Sequence, residues 1–391
     1  MRAIGLGKTY TGSEKMRLYG NSVNLLVCQK SKIEDWIEHF VTYYPQYNIK
    51  DLTKNKLVHS SEQSLYIGVI NYDLIWRREQ FKNLKDFTLM LDESSLISNL
   101  SAKRTKFILK MKPKNCILLS GTPVSGKYER LVSQCRLLRW NITKKDFYER
   151  YVIEKELMMN GVKSHIKFVI GYKNTDELIQ NLKLHGAQFL KSEEVLDLPE
   201  QNFNIIDCKV TKDYKEFDKE SIVTLGDITL VGDLTLTKML YLRQLCGQYN
   251  SNKVDTLLDI IDSTDDRLII FYNFKEELEI LKSKIKRPIS EVNGDKRDLT
   301  AYEKESNSVT LIQYQAGSMG LNLQKANKII YFTLPLSCDN YMQSLKRTHR
   351  IGQTQKCFYY FMICKNSIEE KIYKALKRGE DYTNKLFEKG E

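Results

Sequence analysis

Short uninterrupted apolar runs, each closed by polar or glycine residues, recur along this chain in two separate sets. The first set holds Leu25–Cys28, Tyr66–Ile70, Phe87–Leu91 and Cys116–Leu119; the second holds Arg267–Tyr272, Ser308–Ile312 and Lys328–Phe332. Strands buried on both faces read this way, because a sheet covered by helices on either side has no wet face to alternate toward. Two sets imply two parallel sheets, and so an α/β chain of two lobes. With 391 residues, each lobe can bury a core of its own. In open α/β sheets ligands gather at the carboxyl ends of the strands, which is where polar residues follow these runs.

Between the sets, residues 138–195 interleave charged and apolar positions in a pattern read as helical, and Leu198-Pro199 interrupts it. The expected organisation is a first lobe over 1–137, a helical insertion and linker over 138–199, and a second lobe over 200–391. Hydrophobic residues at 42% and charged residues at 28% fit a folded rather than a disordered chain. Lys and Arg outnumber Asp and Glu by 61 to 49, a net charge of +12. That excess fits a polyanionic partner, and solubility alone explains it equally well. The apolar runs are far too short for a membrane span, and Met1-Arg2-Ala3-Ile4 carries no signal peptide, so a cytoplasmic protein without a membrane partner is expected. The eight cysteines form no CxxC pair and no metal-type spacing with histidine, which fits buried thiols in a reducing compartment better than zinc.

Gly5-Leu6-Gly7-Lys8-Thr9 has the composition of the end of a phosphate-binding loop. Its glycines let backbone N–H groups face an anion, and the helix that follows adds its positive end. Lys8 is expected on the β- and γ-phosphates of ATP and Thr9 on Mg²⁺. The full pattern wants one more glycine where Arg2 stands, so this loop is short at its leading end. Leu89-Met90-Leu91-Asp92-Glu93 supplies the complementary part, a hydrophobic strand ending in two carboxylates. Asp92 is expected to hold the metal and Glu93 to polarise the attacking water.

With these motifs in place, the chain resembles the Swi/Snf-like ATPases of helicase superfamily 2, in particular the small phage-type members. Val27-Cys28-Gln29-Lys30-Ser31 with Trp36 looks like motif Ia, Val69-Ile70-Asn71-Tyr72 like motif Ib, and Leu119-Ser120-Gly121-Thr122-Pro123 like motif III. Asp92-Glu93-Ser94-Ser95 stands where other members carry a DEAH-type string. Ile269-Ile270-Phe271-Tyr272 looks like motif IV. Ala316-Gly317-Ser318-Met319-Gly320-Leu321-Asn322-Leu323 is similar to motif V, and Gln343, Arg347 and His349-Arg350-Ile351-Gly352-Gln353 to motif VI.

The resemblance implies two RecA-like lobes, the first closed by a helical insertion, and a nucleic-acid-dependent ATPase that moves on duplex DNA. ATP and Mg²⁺ are its implied cofactors. Lys8, Glu93, Arg347 and Arg350 are its implied catalytic residues, the arginines acting from the second lobe as fingers on the γ-phosphate. Spaced three apart, those two share a face if helical. Gly5, Gly7, Lys8 and Thr9 are the implied ATP-binding set, and Thr9 and Asp92 the metal ligands. Ser120, Thr122 and Gln343 are expected to couple the sites, and Gln29, Lys30, Asn71, Tyr72, Gln315, Gly317 and Asn322 to contact DNA. The basic stretch from Lys103 to Lys114, free of acidic residues, either extends that surface or is a solvated helix face. Ser95 replaces the usual histidine, which leaves the route from the metal site to motif III open. Three functions stay in play: a duplex translocase, a strand-separating DNA or RNA helicase, and an impaired or split enzyme that only binds DNA for want of an upstream adenine-reading segment. If phage-encoded, it would act in the host cytoplasm.

Overall fold

The computed structural model describes residues 7–55, 65–121, 127–159, 162–188, 197–317 and 321–379. The chain divides into two compact units, Met1–Leu196 and Asp197–Glu391.

The first unit opens with α1 (Lys8–Tyr19), β1 (Val23–Cys28), α2 (Ile33–Tyr43), β2 (Asn48–Asp51), β3 (Tyr66–Asn71), α3 (Tyr72–Ile75), β4 (Phe87–Asp92), α4 (Lys103–Lys110) and β5 (Asn115–Leu119). Its sheet runs β2-β3-β1-β4-β5, parallel throughout. The four apolar runs of the first set are β1, β3, β4 and β5. β2 escapes the pattern because Asn48-Ile49-Lys50-Asp51 is a short edge strand, half open to water. Gly12 lets α1 lie close against this sheet. A Cβ there would come within 2.7 Å of Leu119 Cδ1 and 2.9 Å of Met90 Sδ.

The segment expected to be a helical insertion is only partly so. α5 (Val132–Leu137), α6 (Lys144–Tyr151) and α7 (Thr175–Leu184) are helices, but β6 (Val152–Met159) and β7 (Val162–Tyr172) form an antiparallel hairpin among them. The strand signal was present in Val162-Lys163-Ser164-His165-Ile166-Lys167-Phe168, where apolar and polar residues largely alternate with period two. Charged residues among apolar ones satisfy either periodicity loosely, and here β-branched and aromatic residues decide for the strand. Phe147, Tyr151, Leu178 and Leu182 gather on Leu131, Val132 and Cys135 as a small core of their own.

The second unit contains β8 (Gln201–Cys208), α8 (Lys212–Glu220), β9 (Ile222–Leu225), β10 (Ile228–Val231), α9 (Thr235–Cys246), α10 (Ser251–Asp262), β11 (Leu268–Tyr272), α11 (Lys275–Lys284), β12 (Ile289–Val292), β13 (Arg297–Asp298), α12 (Thr300–Lys304), β14 (Val309–Gln313), α13 (Tyr314–Gly317), β15 (Lys328–Tyr331), α14 (Cys338–Leu345), β16 (Cys357–Cys364) and α15 (Ile368–Lys377). The main sheet runs β13-β12-β14-β11-β15-β16-β8. It is parallel except where β13 turns back on β12. Register stacks one aromatic per strand across its middle: Phe271 opposes Tyr331, which opposes Phe361, with ring centroids 5.5 and 4.7 Å apart. Such cross-strand pairs hold neighbouring strands in one register.

A buried ion pair ties α10 to α15. Lys253 Nζ lies 2.6 Å from Glu369 Oε1, with the two side chains 0% and 2% exposed, and it also donates to Oε2 at 2.8 Å. The Cys364 backbone N–H donates to Glu369 Oε2 as well. Cys246, Cys364 and Glu369 offer ligand atoms within 4.8 Å of one another, but the Lys253 ammonium already supplies the cation there. Lys253→Met strands a buried carboxylate and is expected to destabilise this unit by about 3–5 kcal/mol, with most of the loss recovered in Lys253→Met/Glu369→Leu. Urea denaturation of both variants checks this.

Candidate active site

Among the described residues of the first unit, those expected at the nucleotide lie at the start of α1 and at the carboxyl end of β4. Gly7 caps α1 at φ +64°, a left-handed conformation that glycine adopts without strain. Its carbonyl accepts the Thr11 backbone N–H at 3.0 Å and the Thr11 hydroxyl at 3.2 Å. Lys8 and Thr9 follow as the first two residues of the helix. Gly5 lies outside the described residues.

β4 delivers Asp92 and Glu93 opposite that helix start. Lys8 Nζ stands 3.8 Å from Glu93 Oε2. Glu93 has φ +55°, a costly conformation for a residue with a side chain. It caps the turn Ser94–Ile97, and its carboxylate is held where that strain puts it: the Ser95 hydroxyl and the Ser120 hydroxyl each donate to Glu93 Oε1 at 3.0 Å. Ser120, just past the end of β5, therefore joins this carboxylate to that strand, while Ser95 meets the same oxygen from within the turn. Beneath it, the Ser94 hydroxyl donates to Gln134 Oε1, which ties the same turn to α5.

Asp92 is fixed from two other elements. The Trp36 indole N–H, on α2, donates to Asp92 Oδ2 at 2.9 Å, and the Tyr72 hydroxyl donates to the Asp92 carbonyl at 2.8 Å. Burial pushes the Asp92 carboxyl above its ordinary range, opposed by the Trp36 hydrogen bond and the Lys8 charge. A carboxylate and a threonine hydroxyl are hard-oxygen donors of the type Mg²⁺ takes, so Asp92 and Thr9 are the residues that would hold it. Trp36 is the residue sequence reasoning missed. Its motif gives it no partner, and nothing in the sequence pairs it with a carboxylate 56 positions away.

Of the expected polymer contacts in this unit, Lys30 is exposed and Gln29 partly so, just beyond β1. Asn71 and Tyr72 are not on the surface: they are 4% and 3% exposed, and Tyr72 serves as a strut under Asp92. Thr122 lies outside the described residues.

In the second unit Gln315 and Asn322 are exposed, and Gly317 ends α13. Gln343 sits in α14, but Arg347 and Arg350 do not share a helix face, because α14 stops at Leu345. The Arg347 carbonyl accepts the Leu323 N–H instead of continuing the helix, and Gly352 then turns the chain at φ +93°. The arginines sit on that turn. Arg350 Nη1 donates to the Leu321 carbonyl at 3.3 Å, and burial pushes its pKa downward. His349 Nε2 is 2.8 Å from the Pro199 carbonyl, and Gln353 Nε2 donates to the Gln324 and Ala326 carbonyls. Motifs V and VI thus form one hydrogen-bonded layer.

A model of the SNF2-related domain matches residues 4–253. The chain belongs to the SNF2-related family. A model of the helicase conserved C-terminal domain matches residues 252–352 of this SNF2-related chain. Among its relatives are an "Uncharacterized ATP-dependent helicase" of Mycoplasma pneumoniae, 24% identical over 98% of this chain and 39% of the relative, and the "SWI/SNF-related matrix-associated actin-dependent regulator of chromatin subfamily A-like protein 1" of Drosophila melanogaster, 23% identical over 98% of this chain and 52% of the relative. The chain thus spans about two-fifths to one-half of the length of these relatives. The solved "Sulfolobus solfataricus SWI2/SNF2 ATPase core in complex with dsDNA" is 19% identical, with a TM-score of 0.43 over 96% of this chain and 85% of that one. Among the described residues no helix is long and apolar enough to cross a membrane.

Proposed function

We propose that this SNF2-related chain is a nucleic-acid-dependent ATPase that couples hydrolysis to movement along duplex DNA. The observation that carries the reading is the convergence of Lys8, Asp92 and Glu93 at one end of the first sheet, with Lys8 Nζ 3.8 Å from Glu93 Oε2. Lys8 and the N–H groups that open α1 would bind the phosphates. Thr9 and Asp92 would hold Mg²⁺, which supplies neutralisation of charge on the β,γ-phosphates. Glu93 would orient and polarise the attacking water, kept in place by Ser95 and Ser120. Arg347 and Arg350 would stabilise charge developing on the γ-phosphate. Ser120 bridges Glu93 to motif III, so it and Gln343 are proposed to couple hydrolysis to movement. Lys30, Gln29, Gln315 and Asn322 are proposed to touch phosphate and sugar rather than base edges, which fixes register without reading sequence.

Adding duplex DNA is expected to raise ATP turnover more than adding single-stranded DNA or RNA, and Lys8→Ala is expected to abolish turnover while leaving DNA binding intact. Preferential stimulation by single strands or RNA would instead indicate a strand-separating helicase. Salt-sensitive DNA binding with no turnover under any condition would indicate a protein that binds DNA without hydrolysing ATP.

A further inference from the structure

We propose that Tyr10 and Tyr43 form the platform on which the purine base of the bound nucleoside triphosphate stacks, an inference that rests on the ATP site proposed above. Tyr10 follows Thr9 directly on α1 and is 52% exposed; Tyr43 closes α2 and is 54% exposed. Their ring centroids are 5.2 Å apart at 69°. Tyr10 stands about 200° around the helix from Lys8, so its ring leaves the phosphate cradle and lies on the side of α1 that meets α2. Two large rings half in water beside a phosphate-binding helix give a heterocyclic base a π-surface to cover.

The platform is held from behind. Tyr10 packs edge-on against His39 at 4.9 Å, and Tyr43 meets the same imidazole at 5.1 Å. His39 Nε2 lies 3.0 Å from the Ser13 hydroxyl, and burial pushes the His39 pKa down, which favours the uncharged ring. His39 in turn packs edge-on against Trp36 at 5.8 Å, whose indole N–H reaches Asp92. One aromatic string therefore positions the exposed pair and the carboxylate proposed for Mg²⁺. A nucleotide gripped at both ends would draw on both ends of that string.

The test uses the full chain and three probes: ATP, GTP and inorganic tripolyphosphate. Tyr10→Ala and Tyr43→Ala are expected to weaken ATP and GTP binding alike by roughly 5- to 100-fold, the range for losing one aromatic–base stack, because stacking tolerates any base. Tripolyphosphate affinity should not move, KM for ATP should rise more than kcat falls, and Tyr10→Phe should restore binding. Unchanged ATP affinity in both alanine variants overturns the platform, as does parallel weakening of ATP and tripolyphosphate, which would mark a merely structural role. Lys8→Ala separates the two readings. Loss of tripolyphosphate binding there supports the phosphate site whatever the tyrosines do; retention means that the site is misplaced and the platform falls with it.

Discussion

Arg350→Lys is expected to slow ATP turnover by about 10³–10⁵, the range of an arginine finger on a phosphoryl group, with ATP affinity and thermal stability close to those of the parent chain. Arg350 is partly sequestered, and burial alone lowers its pKa. A guanidinium nevertheless stays charged in any protein environment. Its charge is thus poorly solvated and more effective on a developing anion than the same charge in water. Nη1 rests on the Leu321 carbonyl, a neutral acceptor, and the guanidinium fork carries further N–H donors suited to a phosphoryl group. Lysine keeps the charge and loses the fork, which makes this exchange a sharp one. Single-turnover hydrolysis with saturating duplex DNA measures it. A rate within tenfold of the parent would remove Arg350 from the chemistry and leave Arg347, four percent exposed on the same turn, as the candidate to exchange next.

Glu93→Gln is the second large effect, a fall in kcat of about 10²–10⁴, the usual contribution of a positioned general base. Glutamine is nearly isosteric and retains an oxygen that can accept from Ser95 and Ser120, so the turn should survive. The backbone strain at φ +55° is a property of the position and not of the charge. What disappears is the carboxylate facing Lys8 at 3.8 Å and its ability to take a proton from water. ATP should bind at least as tightly, since one negative charge leaves the phosphate site. Turnover and equilibrium nucleotide binding, measured on the same preparation, separate these effects. If kcat drops by less than tenfold, the base lies elsewhere; if nucleotide binding is lost as well, Glu93 acts through the architecture of the loop.

Local chemistry made much of this protein legible before folding. The uninterrupted apolar runs from Leu25, Tyr66, Phe87 and Cys116, and later from Leu268, Val309 and Lys328, became strands of two parallel sheets, because such runs have no stable place except between two layers. Glycine before Lys8 marked the left-handed cap, and two acids after Leu91 marked the end of β4. The hairpin of Val152–Tyr172 was lost to a mixed pattern that a helix and a half-exposed strand share.

Other features belong to the tertiary structure alone. No local rule joins Trp36 to Asp92 or Ser120 to Glu93; sheet order does, by setting the ends of β1, β4 and β5 side by side. The end of α14 was invisible for a similar reason: a distant N–H, that of Leu323, occupies the Arg347 carbonyl. Tyr72 carries the polarity of a surface contact, yet packing buries it with its hydroxyl on the Asp92 backbone carbonyl. Periodicity and turn chemistry act over a few residues and are written in the chain. Which side chain meets which across dozens of positions depends on strand order and register, and these exist only once the sheets have formed.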